Sequence, residues 1–390
     1  ARAGESEKAV QFAQIAAQEA LSTGAITAAA QYFEVVVTNT DDAAERANAT
    51  GELGRTLHMD RQIERANAML EVAAMRLRDV GNSHQARRMD IWRVEGLSEL
   101  GALPVEDLVE RLGVVKMEAE AEEDWEAVAL GLDAELHLLN RQGDITGIRG
   151  LFEEMSRTGE AGSPAAACLC SAGLALSTLF GGRSDALERA YEAVAIAEEN
   201  ALSDHLLWAQ CRLILILHYQ GRLASIESNS LVQRARLLAQ RSGDRFLRTV
   251  IEANSAVFAL DVGDLDRAEA FLNRSNELLA GADLRHLNLN QVINEAELAY
   301  CRGEFESARD RFLAAEALWE PPLPRHVLNV VHAGLGLCDL ETGSLSQASK
   351  RPNQISADPP IWHYDPCMVL YFRARMEAKR GRVDSALDIL

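Results

Sequence analysis

In this 390-residue chain, four features have residue types and spacings that bear on chemistry: six cysteines, an acidic run, an arginine-rich run and a glycine pair. Cys168, Cys170, Cys211, Cys301, Cys338 and Cys367 are scattered, mostly inside apolar stretches, and none forms a C-x-x-C pair. They read as buried, reduced thiols rather than a disulfide framework, and the histidines lack the spacing of zinc ligands. The acidic run Glu118–Glu126 (EAEAEEDWE) has the charge to attract a metal or a basic partner, but reads better as a solvated helix end and turn. Arg234, Arg236, Arg241, Arg245 and Arg248 could hold an acidic peptide or a phosphate, yet fit a solvated face paired with neighbouring acids. Gly334 and Gly336 lack the third glycine and the preceding strand of a dinucleotide fingerprint. Neither a P-loop, a G-x-S-x-G elbow nor an H-E-x-x-H pair occurs. The chain is therefore read as carrying no catalytic residues, no cofactor and no metal.

Composition narrows the class further. Lys and Arg total 39 against 59 Asp and Glu, a formal charge of −20, while 48% of residues are hydrophobic and only 5% aromatic. That balance argues against direct nucleic-acid binding, which needs clustered positive charge, and against an anionic membrane surface. The uncharged stretch Ala161–Gly182 has the length of a membrane span, but its Ala, Gly, Ser and Cys content predicts a buried helix instead. The chain opens at Ala1 without Met or signal peptide and stops at Leu390 inside a helical pattern. It reads as a fragment of a longer cytoplasmic protein. Thirty-five arginines against four lysines, with abundant alanine, suggest a GC-rich bacterial source.

The elements that must position any site emerge from self-comparison. Ala256–Leu272 (AVFALDVGDLDRAEAFL), Ala296–Phe312 (AELAYCRGEFESARDRF) and Ala374–Leu390 (ARMEAKRGRVDSALDIL) share one frame: a small residue, Gly seven later, Ala five beyond that. The frame also fits Gly336/Gly343/Ala348 and Ala17/Gly24/Ala29, with weaker copies at Gly101, Gly143, Gly182 and Gly221 and one at Arg61/Ala66 that has lost its glycine. Successive turns lie 37 to 42 residues apart. Glycine ends one helix in a left-handed conformation, and Asp144, Asp264, Glu304 or Ser344 then caps the next. Apolar positions recur at helical spacing and no sustained strand alternation appears. Each hairpin is half-buried alone and must stack on its neighbours, which predicts an all-α solenoid.

Small-x6-Gly-x4-Ala, with an aromatic nine after the turn at Phe33, Phe152 and Phe312, resembles the tetratricopeptide repeat, although the period here is near 40 rather than 34. Such long-period repeats resemble the regulatory regions of large bacterial signal-transducing ATPases and LuxR-type maltose-activator relatives, or the repeats preceding caspase-like CHAT proteases. The resemblance implies a right-handed superhelix of about ten hairpins. Residues 1–350 would hold nine of them, 351–364 an irregular Pro-containing loop, and 365–390 a final incomplete hairpin. Pro352 should end the second helix of the ninth hairpin after about two turns.

The resemblance also implies that the first helix of each hairpin lines an inner groove. Counting back from the turns then selects Asp133, His137 and Asn140, Trp208 and His218, and Asn290, Glu297 and Tyr300 as candidate groove residues. Polar groups interspersed with aromatic ones suit a protein or peptide segment. The expected function is a non-catalytic interaction or regulatory scaffold controlling a linked effector domain. A sensor for a small-molecule inducer or signalling peptide, and the repeat region of a CHAT protease or its regulator, are the alternatives.

Overall fold

A computed structural model describes residues 2–142, 144–180, 184–219, 226–280, 285–319, 325–355 and 365–389. Among these the regular structure is helical throughout, without a strand. The helices follow as antiparallel pairs: α1 (Arg2–Ser22) with α2 (Ile26–Asn39), α3 (Ala43–Met59) with α4 (Ile63–Asp79), α5 (Ser83–Glu99) with α6 (Val105–Ala121), and α7 (Trp125–Gln142) with α8 (Ile145–Ala161). Next come α9 (Pro164–Phe180) and α10 (Ala186–Glu199), α11 (Ser203–Tyr219) and α12 (Ile226–Ser242), and α13 (Arg245–Asp261) and α14 (Leu265–Leu279). The series ends with α15 (Arg285–Cys301) and α16 (Phe305–Leu318), α17 (Arg325–Glu341) and α18 (Leu345–Ala348), and α19 (Asp365–Lys379) and α20 (Val383–Ile389). This is the expected all-α solenoid of hairpins.

The chain forms two compact units, one of residues 1–139, 147–217 and 226–251, the other built mainly from 252–390. The repeat frame explains the packing inside both. Ala17, Ala29, Ala66, Ala256, Ala268, Ala296, Ala308 and Ala348 are all fully buried, because only a methyl group fits where paired helices approach. The turns close by a common device: the residue after the turn donates to the carbonyl five residues back, as Ala25 does to Ala20 (2.8 Å), Asp264 to Ala259 (2.8 Å) and Glu304 to Ala299 (2.9 Å). Arg61, at the copy without glycine, adopts the same left-handed φ of 64° and makes the same bond through Gln62 to Leu57. Turns between hairpins, at Gly81, Glu123, Ala201 and Gly243, also have positive φ, which the repeat frame did not single out.

Glycines mark two close approaches between elements. On α17, Gly334 and Gly336 are seats for aromatic rings: a Cβ would lie 2.3 Å from Phe312 Cζ at the first and 2.4 Å from the Phe372 ring at the second. These glycines serve the packing of α16 and α19 on α17. In the first unit, the α1–α2 turn meets the α12–α13 turn, where a Cβ on Gly243 would lie 2.4 Å from Gly24 Cα. The stack thus returns on itself within six hairpins.

At Pro352 the second helix of the ninth hairpin is shorter than expected: α18 has only four residues, and Arg351–Asn353 form a single 3-10 turn. That turn is pinned. Arg351 lies 3.7 Å from the buried Asp339 carboxylate, and Ile355 joins the core around Phe372. Residues 356–364 of the anticipated loop lie outside the described residues. The uncharged stretch forms α9, and among the described residues no helix is long and apolar enough to cross a membrane.

Candidate binding wall

The sequence of α9 sets the geometry of the first unit's wall. Ala165, Ala166, Cys168, Ala172 and Gly173 give this helix a low surface, so side chains from α7 and α11 meet across it. Asp133 Oδ2 accepts from Trp208 Nε1 at 3.1 Å, and Asp133 Oδ1 from Arg212 Nη2 at 2.5 Å. Arg212 also donates to the Ala172 carbonyl at 3.4 Å and to His137 Nε2 at 3.1 Å. A guanidinium only donates, so that ring nitrogen must accept and the imidazole proton sits on Nδ1, 3.8 Å from Asp133. Arg212 lies over the Trp208 indole at 5.0 Å, and the Trp208 and His137 rings are 5.3 Å apart.

Three sequence-selected residues, Asp133, His137 and Trp208, are therefore brought together. The fourth member, Arg212, was missed because counting back three, six, ten and thirteen from Gly221 passes over it. Asp133 and Arg212 are buried, whereas His137 and Trp208 keep part of their surface. The result is a fixed ionic base carrying an accessible indole and imidazole. Cys168 lies beneath; burial, reinforced by Asp133, pushes its thiol up to about 12. His218 is on α11, but its side chain lies outside the described residues. Asn140, near the end of α7, is half-buried and its Oδ1 has no hydrogen-bond partner among the described residues.

In the second unit the candidates stand on α15. Tyr300 OH donates to Glu341 Oε1 on α17 at 3.4 Å, and Arg375 of α19 grips the same carboxylate while donating to Tyr371 OH at 2.8 Å. Burial, then the Glu341 charge, raises the Tyr300 phenol above its ordinary range. Glu297 faces a different environment. It keeps some residue surface, but dense packing about its carboxyl and the nearby Asp261 charge push it up to about 8. Asn290, two turns earlier on α15, is half-buried. Of the eight candidates, Asp133, His137 and Trp208 form a tight cluster on α7 and α11, while Asn290, Glu297 and Tyr300 stand along α15.

The acidic and arginine-rich runs lie on α6–α7 and α12–α13 respectively. The acidic run does cover the end of α6, the Glu123 turn and the start of α7, but it is not all solvated. Asp124 is buried against Arg87, which spans Asp124 (3.0 Å) and Glu122 (2.9 Å), and its other oxygen accepts from the Ala127 amide at 3.2 Å. These residues, with His84, Trp125 and Ser163, line a cavity of about 370 Å³. In the arginine-rich run, Arg234 pairs with Glu198. Cys168, Cys170, Cys211 and Cys338 are buried as expected, but Cys301 is exposed at the end of α15, and the Cys367 side chain lies outside the described residues.

No protein-family model matches the sequence, and no curated protein matches it. Solved structures do. The human IFIT1 dimer with m7Gppp-AAAA aligns at TM-score 0.51 and 17% identity, over 88% of this chain and 75% of that one. The APC/C hetero-tetramer Cut9-Hcn1 aligns at TM-score 0.32 and 14% identity over 97% and 77%, and yeast Tom70 at 0.35 and 11% over 98% of each. Only the first alignment is close enough to use, and at that identity it speaks to fold alone. This chain is similar in fold to tetratricopeptide-type helical-repeat proteins.

Proposed function

We propose that this chain is a non-catalytic interaction scaffold that binds a protein or peptide segment on its inner wall and controls a linked effector domain in a cytoplasmic bacterial protein. The observation that carries the reading is the α7–α11 cluster. Asp133 and Arg212 neutralise each other in the wall and hold Trp208 and His137 in fixed, partly exposed positions. An indole and an imidazole held in this way form a pre-ordered surface of the kind that anchors an extended segment, since little side-chain freedom is lost on binding.

A sensor for a small inducer draws support from a separate observation, the close approach of the α1–α2 and α12–α13 turns at Gly24 and Gly243. The cap-bearing RNA named for the IFIT1 structure belongs to that protein; a net charge of −20 favours a protein segment here. The test is affinity capture from source extract with wild-type chain and a His137→Ala/Trp208→Ala variant whose helicity is intact. A partner held by the first and lost by the second supports the reading, and equal capture by both overturns the site. Fluorescence polarisation with a capped oligonucleotide and a candidate inducer separates the other two ligand classes.

A further inference from the structure

The one repeat that lost its turn glycine is also where the first unit closes on itself. Arg61 holds a left-handed φ of 64°, a conformation that is strained for a residue with a Cβ and that glycine would adopt freely. Its side chain is nonetheless almost wholly buried. It pairs with Glu99 at the end of α5 and lies over the Phe246 ring at 5.0 Å, at the start of α13. Asp244, in the α12–α13 turn, lies within the field of both Arg61 and Glu99 and caps α13 through the Leu247 amide at 2.9 Å. Beside this cluster the Gly24 and Gly243 backbones touch, with a Cβ on Gly24 placed 3.0 Å from Gly243 Cα. An ordinary hairpin turn requires none of this; the side chain at 61 reaches a segment about 180 residues away in sequence.

We propose that Arg61, Glu99, Asp244 and Phe246 form a latch that fastens the first two hairpins to the α12–α13 turn and gates sideways access to the inner wall. The site being gated is the one assigned above, so the inference rests on that reading for its function but not for its existence. The contact is small and built from one cation, two carboxylates and one ring, in contrast to the apolar cores that join α1 to α5. It is therefore the joint at which the stack opens first. With the latch shut, a partner must enter by a free end; with it open, an internal segment can enter from the side.

Arg61→Gly is the decisive variant, because it restores the turn residue the repeat prefers while deleting the latch. The readout needs no partner: hydrogen exchange of the amides at 243–247 and 24–27, and labelling of an introduced His137→Cys by a polymer-bearing maleimide and by N-ethylmaleimide, resolved by peptide mass spectrometry. The expected result is exchange about tenfold faster at both turns, and labelling by the bulky reagent several-fold faster with the small reagent little changed. Phe246→Ala should give the same pattern in weaker form. Unchanged exchange at the two turns in Arg61→Gly overturns the latch. Faster exchange with unchanged bulky labelling overturns the gating. Undiminished partner capture by the His137→Ala/Trp208→Ala chain bears only on the site, so the two failures are distinguishable.

Discussion

The wall of the first unit and α15 of the second solve the same problem in opposite ways. Both place a carboxylate on the first helix of a hairpin, Asp133 ten residues and Glu297 six residues before the turn position. Asp133 meets Arg212 and Trp208 and is fully answered by donors. Glu297 meets Asp261 and dense packing, and its carboxyl is pushed up to about 8. A place on the first helix of a hairpin therefore does not tell whether a buried acid is an anchor or a burden. The element packed beside it decides, through the charge that element brings.

The largest effect is expected from Arg212→Ala, which strands Asp133 in the wall; breaking a buried pair costs about 3–5 kcal/mol. Chemical denaturation should show that loss, and Arg212→Ala/Asp133→Ala together should cost less than the first change alone. If the double variant were no better than the single one, the pair would not be the base of the wall.

Glu297→Gln should act in the opposite direction. Between its ordinary value of 4.5 and about 8 the folded chain holds a proton that the unfolded chain has released, so this group's contribution to stability falls as pH rises through that window. The amide removes the dependence. Its Tm should exceed wild type by a few degrees near pH 8 and match it near pH 4, and equal Tm values at both pH values would refute the assignment. Asp261→Asn removes only the like-charge part of the shift. In a Tm-against-pH series it should move the upper limit of the Glu297 window downward from about 8 without abolishing it, because burial is the larger cause.

The smallest effect is expected from Trp208→Phe, which keeps most of the ring but deletes the donor to Asp133. Roughly 1 kcal/mol of stability should be lost, with His137 and Arg212 still in place. A loss as large as that of Arg212→Ala would mean that the indole, not the guanidinium, holds the cluster.

Much of the fold was legible because helical repeats are written locally. Alanines seven before and five after each turn mark where helices touch, and their burial follows from that spacing. Arg61 was recognisable as a repeat copy without glycine because its neighbours kept the frame, and its backbone does take the left-handed form. Asp133, His137 and Trp208 were found by counting along their own helices. Arg212 was not, because what distinguishes it is a partner 79 residues away across an intervening helix. The acidic run misled in part: nothing local shows that Asp124 turns inward to Arg87 while Glu122 and Glu123 stay exposed.

The hairpins and the turn inside each were written in the sequence. The reason is that backbone conformation and helix contact depend on residues within one repeat. Which charges are answered, the meeting of α7 and α11 across the low surface of α9, and the closing of Arg61 on Phe246 came only with the packed stack. Those outcomes depend on how curvature accumulates over several hairpins, a small rotation at each interface that no single repeat encodes.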